Sequence, residues 1–156
     1  MEKSEEYLKI IQYLDENGIN KSKYLMDYAS KSGNLEIVKY LYDKSYKCTT
    51  NAIDWSSGLG HFEVIIWLFA IGQDCTNYAM DNASIYGHID ILQFLHLMGK
   101  KFSKNAIIGA IKNGHLDIIK FLLTIDLIND KKSKSYIKLA RKYNHIHIID
   151  YLESIN

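Results

Sequence analysis

Leu14, Leu41, Leu68, Leu95 and Leu122 recur at one constant interval, and Leu152 follows after a slightly longer one. A second column, Gly33, Gly60, Gly87 and Gly114, keeps the same interval and continues as Asn144. A fixed period of this kind marks a chain built from like units. One such unit cannot bury its apolar face alone, so each must lean on the next. The period therefore predicts a solenoid, with a surface assembled from many similar pieces rather than one chemical centre.

Residues 76–99 show what a unit contains. Thr76 reads as an N-cap, and Ser22, Thr49, Ser103 and Ser133 hold equivalent places. Asn51, Asn77 and Asn105 offer competing starts one or two residues later. A first helix of about ten residues follows. It carries Met80 and Ala83 on one face, as Met26/Ala29, Ile53/Ser56 and Ile107/Ala110 do elsewhere. The small column Ala29, Ser56, Ala83, Ala110 and Ala140 suits close helix approach. Gly87 stops this helix in the left-handed conformation, which Asn144 also tolerates. Ile91, Leu92, Leu95 and Met98 then form the buried stripe of a second helix, with Asp90 in its first turn. Gly18, Gly72 and Gly99 end the second helices.

The pattern predicts an all-α fold of stacked antiparallel helix pairs. Tyr7 to Asn17 matches a second helix alone, so 1–18 is read as a half-repeat. Repeats follow at 19–45, 46–72, 73–99 and 100–126, and 127–156 is a capping repeat set off by a short insertion near Asp126–Ser133. The whole of 1–156 is read as one domain of about eleven helices.

The net charge of +1 hides an uneven spread. Residues 1–99 hold 8 Lys against 13 Asp and Glu, while 100–142 hold 10 Lys and Arg141 against Asp117, Asp126 and Asp130. Such polarity steers charged partners and says nothing about fold. Cys48 and Cys75 occupy equivalent places in neighbouring repeats. Packed helices lie about 8–10 Å apart, beyond the reach of a disulfide. Two free thiols and an intracellular, cytoplasmic location are expected. The charged start, Met1-Glu-Lys-Ser-Glu-Glu, does not read as a secretory signal, and the apolar run from Val64 to Gly72 is too short to span a bilayer.

The run Asn113-Gly114-His115-Leu116-Asp117-Ile118-Ile119-Lys120-Phe121-Leu122 resembles the Gly-His-Leu-Glu-Ile-Val-Lys-x-Leu signature of ankyrin repeats. Ser32 to Leu41 is nearly as similar, and the resemblance runs in register over 7–156. Typical ankyrin repeats are longer, at about 33 residues, so the β-fingers are expected to be shortened or absent. The Thr-Pro-Leu-His box is replaced at 25–26, 52–53, 79–80 and 106–107. Short repeats of this kind are similar to those common in amoebae and large DNA viruses. The resemblance implies a non-enzymatic protein–protein interaction scaffold whose partner sits on a concave face lined by the first helices. It places contacts just before the first helix and at its last turn. The candidates are Lys31, Leu59, Ile85, Tyr86, Lys112 and Tyr143, with an apolar centre and lysines at both ends. Leu59 and Ile85 have a second reading, packing on the next repeat.

The remaining columns hold side chains capable of chemistry. His61, His88, His115 and His145 could suggest a metal ladder, but imidazoles one repeat apart do not converge on one ion. They are read as bonding backbone groups at the turn, and His96 and His147 as surface or cap residues. Asp27, Asp54 and Asp81 are read as a solvated face, since a catalytic pair needs closer carboxyls. Cys48 and Cys75 are read as packing or link positions. No cofactor, metal, membrane or small-molecule substrate is expected. The alternative to a protein partner is electrostatic nucleic-acid binding through 100–142, centred on Lys131, Lys132, Lys134, Lys138, Arg141 and Lys142.

Overall fold

The computed structural model describes residues 2–18, 22–125 and 130–155. Among them are eleven helices and no strand. They fall into two compact units, residues 1–75 and 76–156. Unit 1 holds α1 (Glu2–Glu16), α2 (Leu25–Lys31), α3 (Leu35–Asp43), α4 (Asn51–Leu59) and α5 (Phe62–Ala70). Unit 2 holds α6 (Asn77–Tyr86), α7 (Ile89–Leu97), α8 (Lys104–Asn113), α9 (Leu116–Ile125), α10 (Asp130–Lys142) and α11 (Ile146–Ser154). The expected boundaries at 18/19 and 126/127, and the start of the expected insertion, fall on residues outside the described set.

Each unit is a stack of helix pairs in which first helices pack closely and second helices barely meet. In unit 1, α2 lies along α4 while α3 and α5 touch lightly; in unit 2, α6 lies along α8 while α7 and α9 touch lightly. The small column permits the close approach. Ala83, Ala110 and Ala140 are fully buried in unit 2, as is Ser56 in unit 1. Ser56 Oγ shares its proton between the carbonyls of Ala52 at 2.6 Å and Ser30 at 2.9 Å, joining α4 to α2. The second helices supply the large side chains. Val38, Leu41, Ile65 and Leu68 are fully buried in unit 1, and Ile91, Leu92, Leu95, Ile118 and Ile119 in unit 2.

Of the predicted cap column, Thr76 and Ser103 are the N-caps of α6 and α8, each accepting from the amide two residues on at 3.1 Å. Ser22 and Thr49 make the same local bond at 3.3 and 3.2 Å, but they stand ahead of the N-cap positions of α2 and α4, which are Tyr24 and Thr50. Ser133 departs from the prediction. It lies buried inside α10, which begins earlier, at Asp130. The run Asp-Lys-Lys-Ser-Lys contains neither Gly nor Pro, so nothing in it stops the helix from starting early. For the same reason α1 begins at Glu2, ahead of the predicted Tyr7.

Candidate interaction surface

The turn after each first helix is built twice over. Gly33, Gly60, Gly87 and Gly114 adopt φ of 75–83°, and Asn144 takes 59°. At Gly87 a second demand is added. A Cβ there would stand 2.7 Å from the His115 ring of the next repeat, and His145 presses on Gly114 in the same way at 2.9 Å. The rings lie there because each Nε2 reaches a carbonyl at the end of the preceding first helix. His115 bonds Ile85 O at 3.1 Å, His145 bonds Lys112 O at 3.0 Å and, in unit 1, His61 bonds Lys31 O at 3.0 Å. A carbonyl can only accept, so Nε2 carries the proton. These are carbonyls that a helix end leaves without a partner. Asn34, the first member of this column, instead caps its own helix by accepting from Ile37 N at 3.1 Å. His147, read as a surface or cap residue, is exposed, and its Nε2 bonds Gly114 O at 3.1 Å.

The aspartate column overturns the solvated-face reading. Asp27, Asp54 and Asp81 are buried at 0, 3 and 2% exposure. In unit 2, Asp81 accepts from Ser103 N at 2.8 Å and Ser103 Oγ at 2.6 Å. In unit 1, Asp27 accepts from Thr49 N at 2.7 Å and Thr49 Oγ1 at 2.8 Å. The carboxylate of one first helix thus grips the residue at the start of the next, and in unit 2 the same Ser103 oxygen caps α8. Ionised acceptors make the stronger hydrogen bonds, and two donors each meet the cost of burying the charge. The signal in the sequence that points to this clamp is the recurring interval from Asp27 to Thr49 and from Asp81 to Ser103.

The clamp also settles the environment of Cys48. Burial first, and then the nearby Asp27 carboxylate, push its thiol up to about 11. Cys48 is held as the thiol, a poor nucleophile, and donates to Gln73 Oε1 at 3.3 Å. Both cysteines are free. Among the described residues, no three His, Cys, Asp or Glu side chains gather as metal ligands would.

The six predicted contact residues fall at the ends of first helices in both units. In unit 1, Lys31 and Leu59 are exposed, Leu59 at 49%. Lys31 Nζ lies 5.4 Å from the Trp55 ring centroid, and Tyr28 stacks on Trp55 at 5.7 Å. Sequence reasoning passed over this aromatic ledge, although Tyr28 and Trp55 hold the same place in successive repeats. In unit 2, Tyr86 and Tyr143 are exposed at 61 and 39%, and Lys112 is also exposed. Ile85 is half-buried because its side chain covers Gly109, where a Cβ would collide with it. Its second reading, packing on the next repeat, therefore describes most of what it does.

Unit 2 also holds a groove of about 830 Å³ between α8 and α10. Ile108 and Lys112 line one side; Tyr136, Lys138, Leu139 and Lys142 line the other, with Arg141 and Tyr143 beside them. Arg141 is engaged by Glu153 at 2.7 Å.

These features define a class: helix pairs stacked through close first helices, with a histidine turn and exposed side chains at first-helix ends. Residues 80–155 match the family of ankyrin repeats, in three copies. The crystal structure of the human ASB11 ankyrin repeat domain is similar to this chain, with a TM-score of 0.72 at 17% identity. The match covers 87% of this chain and 70% of that one. Comparison with curated proteins gives no match. Residues 80–155 thus carry ankyrin repeats and the chain has the ankyrin-repeat fold; ankyrin repeats are generally protein-interaction modules, typically without enzymatic activity. Among the described residues no helix is long and apolar enough to cross a membrane.

Proposed function

We propose that residues 1–156 act as one non-enzymatic scaffold that binds a protein partner at the ends of its first helices, on the inner face. The contact residues are Lys31 and Leu59 in unit 1, and Ile85, Tyr86, Lys112 and Tyr143 in unit 2. One observation carries the reading: large apolar and aromatic side chains stand exposed at turns whose backbone is already fixed. Tyr86 follows Ile85, whose carbonyl His115 holds, and Tyr143 stands just ahead of Asn144 and His145. Aromatic side chains presented on a rigid backbone lose little freedom on binding, and such residues dominate interface energetics. The free thiols favour an intracellular, cytoplasmic setting.

The test is affinity capture with the full chain and with a Leu59→Ala/Tyr86→Ala variant of unchanged helicity. Both side chains are exposed, so the variant keeps its fold. Proteins retained by the parent should be lost from the variant; identical retention by both overturns this choice of surface. The second reading, nucleic acid on 100–142, is favoured by the lysines that line the α8–α10 groove. Duplex DNA retained with a steep salt dependence would support it.

A further inference from the structure

The aspartate column breaks at one place. Asp27, Asp54 and Asp81 are followed by Ile108 and then Lys138. Ile108 has no carboxylate with which to grip the next cap, and α10 begins at Asp130, ahead of the column's Ser133. The groove lies at this unclamped junction, and both column members that replace aspartate face into it. Ile108 and Leu139 provide an aliphatic floor, Tyr136 an aromatic wall, and Lys112, Lys138 and Lys142 the charge; no carboxylate lines it among the described residues. Lys142 Nζ sits 5.8 Å from the Tyr143 ring centroid, which keeps the ammonium beside the groove.

We propose that this groove binds an acidic peptide segment with a central aliphatic or aromatic residue. The inference rests on the protein-binding reading above and names the chemistry of the partner. The apolar residue sheds water on Ile108 and Leu139, while aspartates or glutamates on either side meet Lys112 on α8 and Lys138 and Lys142 on α10. About 830 Å³ is within the usual range for a small-ligand pocket and suits one anchoring side chain with its neighbours. An aliphatic floor favours a peptide over a phosphate backbone, which has no apolar group to seat there. Charge complementarity excludes basic segments, since like charges at an interface are costly.

The test uses the full chain and a phage-displayed library of randomised peptides. Enriched peptides should carry acids flanking an apolar residue. Fluorescence polarisation with the most enriched peptide should show at least about tenfold weaker binding to Lys138→Glu/Lys142→Glu. A Lys138→Gln/Lys142→Gln variant should lose less, and both should unfold at the parental urea midpoint because both lysines are exposed. Enriched peptides that are neutral or basic, or that bind the charge-reversed variant unchanged, overturn the groove. If such peptides instead depend on Tyr86 or Leu59, the protein-binding reading survives without it. If no peptide is enriched while duplex DNA binds and is lost from Lys138→Glu/Lys142→Glu, the groove proposal falls to the nucleic-acid reading. If neither peptide enrichment nor Tyr86-dependent capture is seen, both proposals fall.

Discussion

Two junctions in unit 2 share a plan and differ in one column. Where α6 meets α8, Asp81 reaches down to Ser103 and ties the start of one first helix to the next. Where α8 meets α10, Ile108 stands in its place and offers no carboxylate for such a tie. Both keep the other fastening, a histidine ring laid on the preceding glycine and bonded to a helix-end carbonyl. The difference separates two tasks. The histidine turn sets how consecutive pairs meet at one end of the first helices. The aspartate clamp ties the other end, and the junction without it carries the larger groove, about 830 Å³ against about 490 Å³ beside Asp81 and Ser103.

The largest effect should come from breaking the clamp. Asp81→Ala removes both acceptors of Ser103 and leaves a half-buried hydroxyl and amide to find others. Hydrogen bonds to ionised groups contribute about 1.5–3 kcal/mol each, so a loss of about 3 kcal/mol in urea unfolding is expected. Asp81→Asn keeps one acceptor and should lose less. Ile108→Ala, at the matching position, should cost about 1 kcal/mol, because Ile108 is only half-buried and its side chain has no polar atom to leave unpaired. Equal losses for Asp81→Ala and Ile108→Ala would end the distinction between the junctions.

A second measurement asks whether the histidine turn is common to both. Gly87→Ala and Gly114→Ala each force an L-residue to φ near 80° and drive a methyl into a histidine ring. The left-handed conformation alone costs about 1–2 kcal/mol, and displacing the ring raises the total to about 2–3 kcal/mol. The two losses should agree closely. Gly18→Ala serves as the control, because nothing lies within 4 Å of its Cβ position and only the backbone strain remains. A much smaller loss at Gly114 than at Gly87 would show that the turn depends on the clamp.

How legible these features are depends on whether they repeat within one helix pair or join two. The leucine and glycine columns follow from periodicity alone, because each residue does the same thing in every repeat. The histidine reading is also accessible: rings one repeat apart cannot share an ion, so the backbone is the remaining partner. The aspartates defeat a reading of the sequence because an acid on a short helix ordinarily faces water. The partner of Asp81 is Ser103, far outside any helical window. Ser133 misleads for a related reason. It keeps the column only if an insertion precedes it, and a residue's place in a column does not compel a helix to begin there. The α8–α10 groove is visible only as the switch from Asp to Ile108 and Lys138, which acquires meaning once the clamp is known.

The smallest effect concerns the turn that follows the unclamped junction, where Asn144 replaces the glycine of the other repeats at φ 59°. Asn tolerates this conformation better than other L-residues because its short amide can bond locally. Glycine removes what strain remains but loses more freedom on folding. The two effects nearly cancel, and Asn144→Gly should gain about 0.3 kcal/mol at most. Asn144→Ala meets the strain without the local bond and should lose about 1 kcal/mol. A gain well above about 1 kcal/mol for Asn144→Gly would mean that the turn is strained by its neighbours rather than by its own side chain. The open junction would then be under tension that the clamped one escapes, and the groove would reflect that tension rather than the missing carboxylate.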